Sequence, residues 1–257
     1  RPRPFYIESS STHPIRMSHP NEQALERIQF YVTAPYACGY LPEQQSQSLI
    51  ATPQHLVNGY QYSELIQLGF RRSGQFVYRP HCEDCRACIS VRLPVAEFQA
   101  SRSQRRAFKQ HQSLEGLINR PSFDEAQFNL YQAYQASRHQ GAEKEEGVDQ
   151  YRDFLIQSNV DSLSVSFLLD GQLKIVSIVD IVEDGISAVY TFYDTQDTQA
   201  SYGTYSILWL IEWCKQLGLP YLYLGYWIQD SPKMAYKRNF MPQQALMNGQ
   251  WQRIEKS

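Results

Sequence analysis

The stretch from Ser162 to Asp194 constrains the fold more than any other. It holds three apolar, β-rich runs, SLSVSFLLDG, QLKIVSIVDIVEDG and ISAVYTFYD, punctuated by Asp170-Gly171 and Asp184-Gly185. Asp-Gly is a strong hairpin signal because both residues tolerate the left-handed backbone that a two-residue turn demands. Runs this short and this closely joined predict an antiparallel meander. Gly203 to Gln216 then places Ile207, Leu208, Leu210, Ile211 and Cys214 on one inward helical face, YLYLG predicts a further strand, and Lys233 to Arg238 predicts a short basic helix.

Three antiparallel strands followed by helix, strand and helix is the element order of the GNAT acyltransferase fold, an analogy of order that by itself carries no function. Upstream, RIQFYVT predicts a strand and PYACGYLP an irregular loop carrying Cys38. Val57 to Leu68 has helical spacing ended by Gly69, Phe70 to Tyr78 reads as a hairpin turning at Ser73-Gly74, and ISVRL reads as a strand. Ser101 to Gln112 predicts an exposed helix, Phe123 to His139 a packed one, and Gln140 to Val148 a mobile charged loop. The fold class expected is α+β, with mixed and antiparallel sheets flanked by helices. With 257 residues, 42% of them hydrophobic, two domains are expected: a cysteine-containing one over 17–120 and a GNAT-like one over 121–257. Residues 1–16, rich in Pro and Ser and preceding Met17, read as a leader or disordered segment.

No apolar run reaches the roughly 18 residues needed to span a bilayer, and the N-terminus lacks the apolar stretch of a secretory signal, so a cytoplasmic protein with no membrane partner is expected. A formal charge of −2 gives no global case for nucleic-acid binding. Any such binding must be local, and basic residues cluster at Arg71-Arg72, at Arg79, and at Arg102, Arg105, Arg106 and Lys109. The five cysteines, with no export signal, argue against a disulfide framework. Cys82, Cys85 and Cys88 lie at two-residue spacing on one loop, and Cys38 is a fourth thiol if the two loops meet. That set suits tetrahedral zinc or an iron–sulfur cluster, or else buried reduced thiols.

Several segments taken together resemble one family, the bacterial leucyl-tRNA–protein transferases, relatives of the eukaryotic arginyl-tRNA–protein transferases. They are CGYLP at 38–42, GFRRSG and VYRPHCEDCRAC within 69–88, SRSQRR at 101–106, VYTFYD at 189–194, YGTYSILWLIEW at 202–213, YLYLGYWI at 221–228 and KMAYK at 233–237. The resemblance implies two GNAT-like lobes, the one over 121–257 being the aminoacyl-transfer domain, and transfer of leucine from leucyl-tRNA to the N-terminal Asp or Glu of acceptor proteins, marking them for degradation. Arginine as donor, a GNAT acetyltransferase, and a non-catalytic metal-stabilised RNA-binding module are the alternatives. No cofactor is required for that chemistry.

The residues fit such an activity as follows. An Asp or Glu acceptor presents a carboxylate, which Arg pairs bidentately, so Arg71, Arg72 and Arg79, with Tyr40, are the candidate acceptor-binding residues. Arg102, Ser103, Gln104, Arg105 and Arg106 suit the phosphates of a tRNA acceptor stem. Gly203 and Thr204 open a helix whose free N–H groups attract an anion, and the single Gly of SYGTY is fewer than a coenzyme A pyrophosphate turn carries. Lys233, Tyr236 and Lys237 are candidates for the tRNA 3′ end. Asp194 and Tyr193 are the candidate catalytic residues, Asp194 to orient the incoming ammonium and accept its proton.

Overall fold

The computed structural model describes residues 28–138 and 147–254. The leader at 1–16 and most of the charged loop from Gln140 lie outside the described residues. The chain begins with β1 (Gln29–Val32), a two-stranded ribbon of β2 (Tyr36–Ala37) and β3 (Gln45–Ser46), and β4 (Ser48–Thr52). Helix α1 (Gly59–Gln67) follows, with Asn58 Oδ1 accepting from the Tyr60 and Gln61 amides, the side-chain cap that the first turn of a helix needs. The hairpin β5 (Arg71–Ser73) and β6 (Phe76–Pro80) turns at Gly74, whose φ of +59° favours glycine. Beyond the cysteine loop come β7 (Ile89–Pro94), α2 (Arg102–Gln110), β8 (Glu115–Asn119), α3 (Glu125–Arg138) and a short α4 (Val148–Tyr151) that runs into a π-helical turn.

The meander forms as its turn residues require: β9 (Ser162–Leu169), β10 (Gln172–Val182) and β11 (Gly185–Tyr193), with Asp170 and Gly171 both at positive φ between the first two. Then α5 (Tyr202–Leu217), β12 (Tyr221–Trp227), a 3-10 helix at Pro232–Asn239, and a hairpin of β13 (Gln243–Met247) and β14 (Gln250–Ile254) complete the chain. Two sheets result. One is β1-β4-β6-β5; the other is eight-stranded in the order β14-β13-β7-β12-β11-β10-β9-β8. The larger sheet is mixed, since β12 pairs with β11 in parallel and its other ladders are antiparallel. Strands β7 and β8, both before residue 121, belong to the same sheet as the meander.

Three apolar clusters fill the layers. One face of the large sheet is covered by α5, with Leu208, Leu210, Ile211 and Cys214 against Leu93, Val165, Phe167 and Ile186. The opposite face buries Phe128 and Tyr131 of α3 with Tyr151 against Val176, Ile178 and Phe192. A third cluster joins α1 and the small sheet to Val182 and Tyr223 of the large one. No helix among the described residues is long and apolar enough to cross a membrane.

The two sheets are also tied by charge. Arg72 on β5 donates from Nε and NH2 to the two carboxylate oxygens of Asp180 on β10, each at 2.8 Å, and both side chains are almost fully buried. Removing one partner of such a pair strands the other in a low-dielectric interior. Asp180→Ala should therefore cost about 3 to 5 kcal/mol of unfolding free energy by urea titration. The double substitution Arg72→Met with Asp180→Leu should cost far less than the single one; equal losses would mean the charges themselves stabilise the junction.

Candidate active site

The parallel junction in the large sheet is short. β11 and β12 pair only through Gly185–Tyr221, Ile186–Leu222 and Ser187–Tyr223, after which they form no further pair with each other. Their carboxyl ends, carrying Tyr193 and Tyr226, therefore part, and the carboxyl ends of parallel strands are where open α/β sheets hold ligands. Gly225 sits at this opening with φ of +81°, at an irregularity in the β12–β7 ladder, and a Cβ there would stand 3.7 Å from Lys237 Nζ.

Two cations are buried on the β12 side. Arg71 is only 5% exposed; its NH2 donates to Ser90 Oγ at 2.9 Å and to the Val91 carbonyl at 3.4 Å, while Nε and NH1 are buried with no hydrogen-bond partner among the described residues. Its guanidinium lies 5.3 Å from the ring centre of Tyr223 and 5.9 Å from that of Tyr226. Lys237, 3% exposed, donates to the Tyr226 carbonyl. Burial, with Arg71 adding to it and the Cys88 thiol opposing, brings the Lys237 ammonium down to about 7. Neither cation takes part in an ion pair among the described residues.

Tyrosines surround this pair. Tyr78 and Tyr226 have ring centres 6.5 Å apart, and Tyr226 Oη donates to the Gly69 carbonyl at 2.8 Å. Tyr40, on the loop bearing Cys38, has its phenol raised by burial and then by Cys88, Cys38 and Tyr36. Tyr236, on the 3-10 helix, is pushed up to about 12 by burial and then by Tyr134, Tyr193 and Tyr40. Its ring centre lies 5.8 Å from Lys237 Nζ, and 46% of its surface is exposed.

On the β11 side, Tyr193 Oη accepts from Arg138 NH2 at 2.5 Å, and its ring centre is 5.0 Å from that of Tyr134. The start of α5 approaches the same ring so closely that a Cβ at Gly203 would meet it at 3.3 Å. Gly203 and Thr204 are half-buried there, and Ser201, at φ of +54°, gives the helix no side-chain cap. Glycine is thus used for close approach, and the first-turn N–H groups open beside Tyr193.

The structure corrects several sequence-based assignments. Arg72 is committed to Asp180 and, through NH1, to the Gly74 carbonyl at 2.8 Å and the Gln157 carbonyl at 3.5 Å, so its buried guanidinium serves the fold. Arg79 donates to the Leu68 carbonyl at 3.1 Å, past the end of α1, and lies over Phe70. Gln104 is buried as the capping-box partner of Ser101 and donates to the Asn239 carbonyl at 2.7 Å, so it is not a phosphate contact. Ser103 is exposed and exchanges a hydrogen bond with Ser101, and Arg102, Arg105, Arg106 and Lys233 are exposed. Lys237 is not a surface contact for RNA; it belongs to the buried pair with Arg71. Asp194 accepts from Lys174 Nζ at 2.9 Å and from the Gln196 amide at 3.0 Å. Burial pushes its carboxyl up, but those bonds and the Lys174 charge outweigh this and hold it below the usual carboxylate range. A carboxylate so stabilised is a weak proton acceptor near neutrality.

The four loop cysteines approach one another without converging. Burial, followed by Cys82, Cys38 and Cys85, pushes the Cys88 thiol up to about 12. Yet Cys38 Sγ accepts from the Leu41 amide at 3.5 Å, Cys82 Sγ faces Ser46 Oγ at 3.7 Å, and among the described residues no three Cys, His, Asp or Glu side chains are grouped to hold a metal ion. As arranged, the thiols do not fit zinc or an iron–sulfur cluster. Sequence reasoning missed the pairing of Arg71 with Lys237, which are 166 positions apart with no local pattern linking them, and it missed Arg138 at Tyr193.

The sheet is thus parted at a parallel junction, with buried cations on one side and a helix start on the other. The chain belongs to the arginine-tRNA-protein transferase family: the model of that family's N terminus matches residues 36–106 and the model of its C terminus residues 126–247. It is accordingly an aminoacyltransferase. It is 64% identical over 239 residues to an aspartate/glutamate leucyltransferase of Methylobacillus flagellatus, covering 93% of this chain and 96% of the relative. It is 50% identical over 240 residues to the enzyme of that name from Nitrosospira multiformis, covering 93% and 96%. Among solved structures, FemX aligns over 82% of both chains with a TM-score of 0.46 and 8% identity, a likeness too loose to build on.

The lowered ammonium of Lys237 has a consequence for stability. Unfolded lysine titrates near about 10.4, so between about pH 7 and that value the unfolded chain binds the extra proton and stability rises with pH. Burial of this group is least costly above the unfolded value and most costly below about 7. Lys237→Met should flatten the rise in melting temperature across that window; a slope equal to that of the unsubstituted protein would mean the ammonium is not held down.

Proposed function

We propose that the protein transfers leucine from leucyl-tRNA to the α-amine of acceptor proteins beginning with Asp or Glu, in the cytoplasm, marking them for degradation. The observation that carries the acceptor choice is Nε and NH1 of Arg71 beside Lys237, a buried positive site with neither a hydrogen-bond partner for those atoms nor an ion-paired carboxylate among the described residues. The free donors and the charge they carry suit an oxygen of a side-chain carboxylate, through a charge-assisted hydrogen bond. Leucine as donor is supported by the names that the relatives carry.

The chemistry asks little of the side chains. The acceptor α-amine has a pKa of about 7.7 to 8.0, so an appreciable fraction is neutral near pH 7. It attacks the ester carbonyl of the charged tRNA, the carbonyl oxygen takes the negative charge, and collapse forms the amide and releases the terminal ribose oxygen, which takes a proton. Tyr193 and the first-turn amides of α5, at the carboxyl end of β11, are positioned to hold the donor end. Fixing the amine against the ester and stabilising the oxyanion supply the acceleration without a covalent intermediate.

Transfer of labelled leucine, compared with labelled arginine, to peptides starting with Asp or with Asn tests both halves. Leucine should be transferred in preference to arginine, and to the Asp peptide in preference to the Asn peptide. Arg71→Gln should lower kcat/KM for the Asp peptide by about 1.5 to 3 kcal/mol and abolish the discrimination against Asn. Preferential transfer of arginine would replace the donor. Undiminished Asp selectivity in folded Arg71→Gln would remove Arg71 from acceptor recognition.

A further inference from the structure

A groove of about 340 Å³ runs between α2 and α5, away from the Arg71–Lys237 pair. Its floor is apolar, from Phe98, Phe108 and Leu208, and its rim is cationic, from Arg105, Lys109 and Lys215. The floor is rigid: Phe98 stacks on Phe240 with ring centres 6.1 Å apart, and Phe108 on Tyr205 at 5.5 Å. The rim is electrically unbalanced. Glu212 pairs with Lys215 at 2.8 Å, while Arg105 and Lys109 have no ion-pair partner among the described residues.

Rigid aromatic rings beneath lysines and arginine suit a base attached to a phosphate, the combination by which proteins hold single-stranded nucleic acid. The cations do not stop at the groove. Arg102, Arg105 or Arg106, and Lys109 recur along the exposed side of α2 every three or four residues, about 5 Å apart along the axis. That spacing fits a run of phosphates better than one free anion. In a chain whose net charge is −2, such a run is a local feature. The helix is also anchored next to the site, through Gln104 and the carbonyl of Asn239 at the end of the 3-10 helix that bears Tyr236 and Lys237.

We propose that this groove holds one unpaired nucleotide of the donor tRNA, its base on the Phe98–Phe108–Leu208 floor and its phosphate among Arg105, Lys109 and Lys215. The assignment rests on the reading that a charged tRNA is the donor. It gives the enzyme a second hold on the RNA, apart from the reacting end, and converts the basic helix from a diffuse surface into a site with a defined occupant.

The test is steady-state transfer with leucyl-tRNA varied, together with direct binding of the same tRNA at several salt concentrations. Phe108→Leu keeps the charge and most of the volume. It should weaken tRNA binding by roughly 5- to 100-fold, with an unchanged salt slope and an unchanged KM for the acceptor peptide. Lys109→Glu should weaken tRNA binding and make the salt dependence shallower by about 0.7 to 0.9 for each phosphate no longer neutralised. A response to Lys109→Glu with none to folded Phe108→Leu would overturn the groove in favour of a plain basic face. If Phe108→Leu does not fold, a benzophenone side chain at Gln112, on the groove's edge, decides: a cross-link to one unpaired tRNA nucleotide supports the site, and cross-links to paired nucleotides alone, or none, overturn it. Competition by an acidic peptide in place of tRNA would assign the groove to a protein. Failure of the unsubstituted protein to bind tRNA would instead sink the proposed donor itself.

Discussion

The buried bidentate pair between Arg72 and Asp180 is the constraint on which the geometry of the site depends. Asp180 lies at 0% exposure near the middle of the large sheet, and it also accepts from Ser162 Oγ, so its carboxylate is held on several sides. The pair fixes β5, and with it the small sheet, to the meander. Adjacent residues of a strand point to opposite faces. With Arg72 locked toward β10, Arg71 is turned the other way, toward Ser90 and the rings of Tyr223 and Tyr226. Two neighbouring arginines of one hairpin thus take unlike tasks, one internal and satisfied, the other buried and open-handed.

A second polar network secures the same junction from the side of α1. Tyr223 Oη donates to Asp184 and accepts from Gln67 Nε2 at 2.6 Å and Arg92 NH1 at 3.0 Å, and Arg92 reaches Gln244 on β13 at 2.8 Å. The Arg92 guanidinium lies 3.6 Å from the ring centre of Tyr221 and 4.3 Å from that of Trp251. This network spans α1, β7, β12 and β13 where the β11–β12 ladder is intact. The ladder is reinforced at one end and free to part at the other, and the buried cations sit where it parts.

Elements with a local signal were legible in the sequence; those made by distant pairing were not. The meander and α5 followed from turn residues and apolar period, although the second turn falls at Glu183-Asp184, one residue earlier than Asp184-Gly185 suggested. The β13–β14 hairpin carries an equally plain turn signal in Asn248-Gly249, both at positive φ, but its flanks, QQALM and QWQRI, alternate too weakly to mark it as a pair of strands. Nothing local announces that β7 inserts between β12 and β13, or that β8 closes the far edge. The basic run at 101–106 announced a charged helix, but the buried role of Gln104 depends on a carbonyl 135 positions away. The arginines beside the cysteine loop were legible as a group, and only tertiary structure separates Arg71 from Arg72 and Arg79.

The open donors of Arg71 are better understood as a source of selectivity than of stability. A guanidinium removed from water with two donors unfilled costs free energy in the resting protein, and the neighbouring Lys237 ammonium adds repulsion. A packed apolar junction would fold more securely. On the proposed reading that cost is relieved when a carboxylate arrives, because an anion takes a free donor and neutralises charge in one step. A neutral side chain of the same shape would enter while leaving the donors unpaired, and sites built around buried polar groups reject such analogues far more sharply than apolar pockets reject a missing methylene. On the proposed reading, holding Arg71 unsatisfied between Tyr223 and Tyr226, with Arg72 bolted to Asp180 behind it, is how a small fold discriminates acceptors by charge.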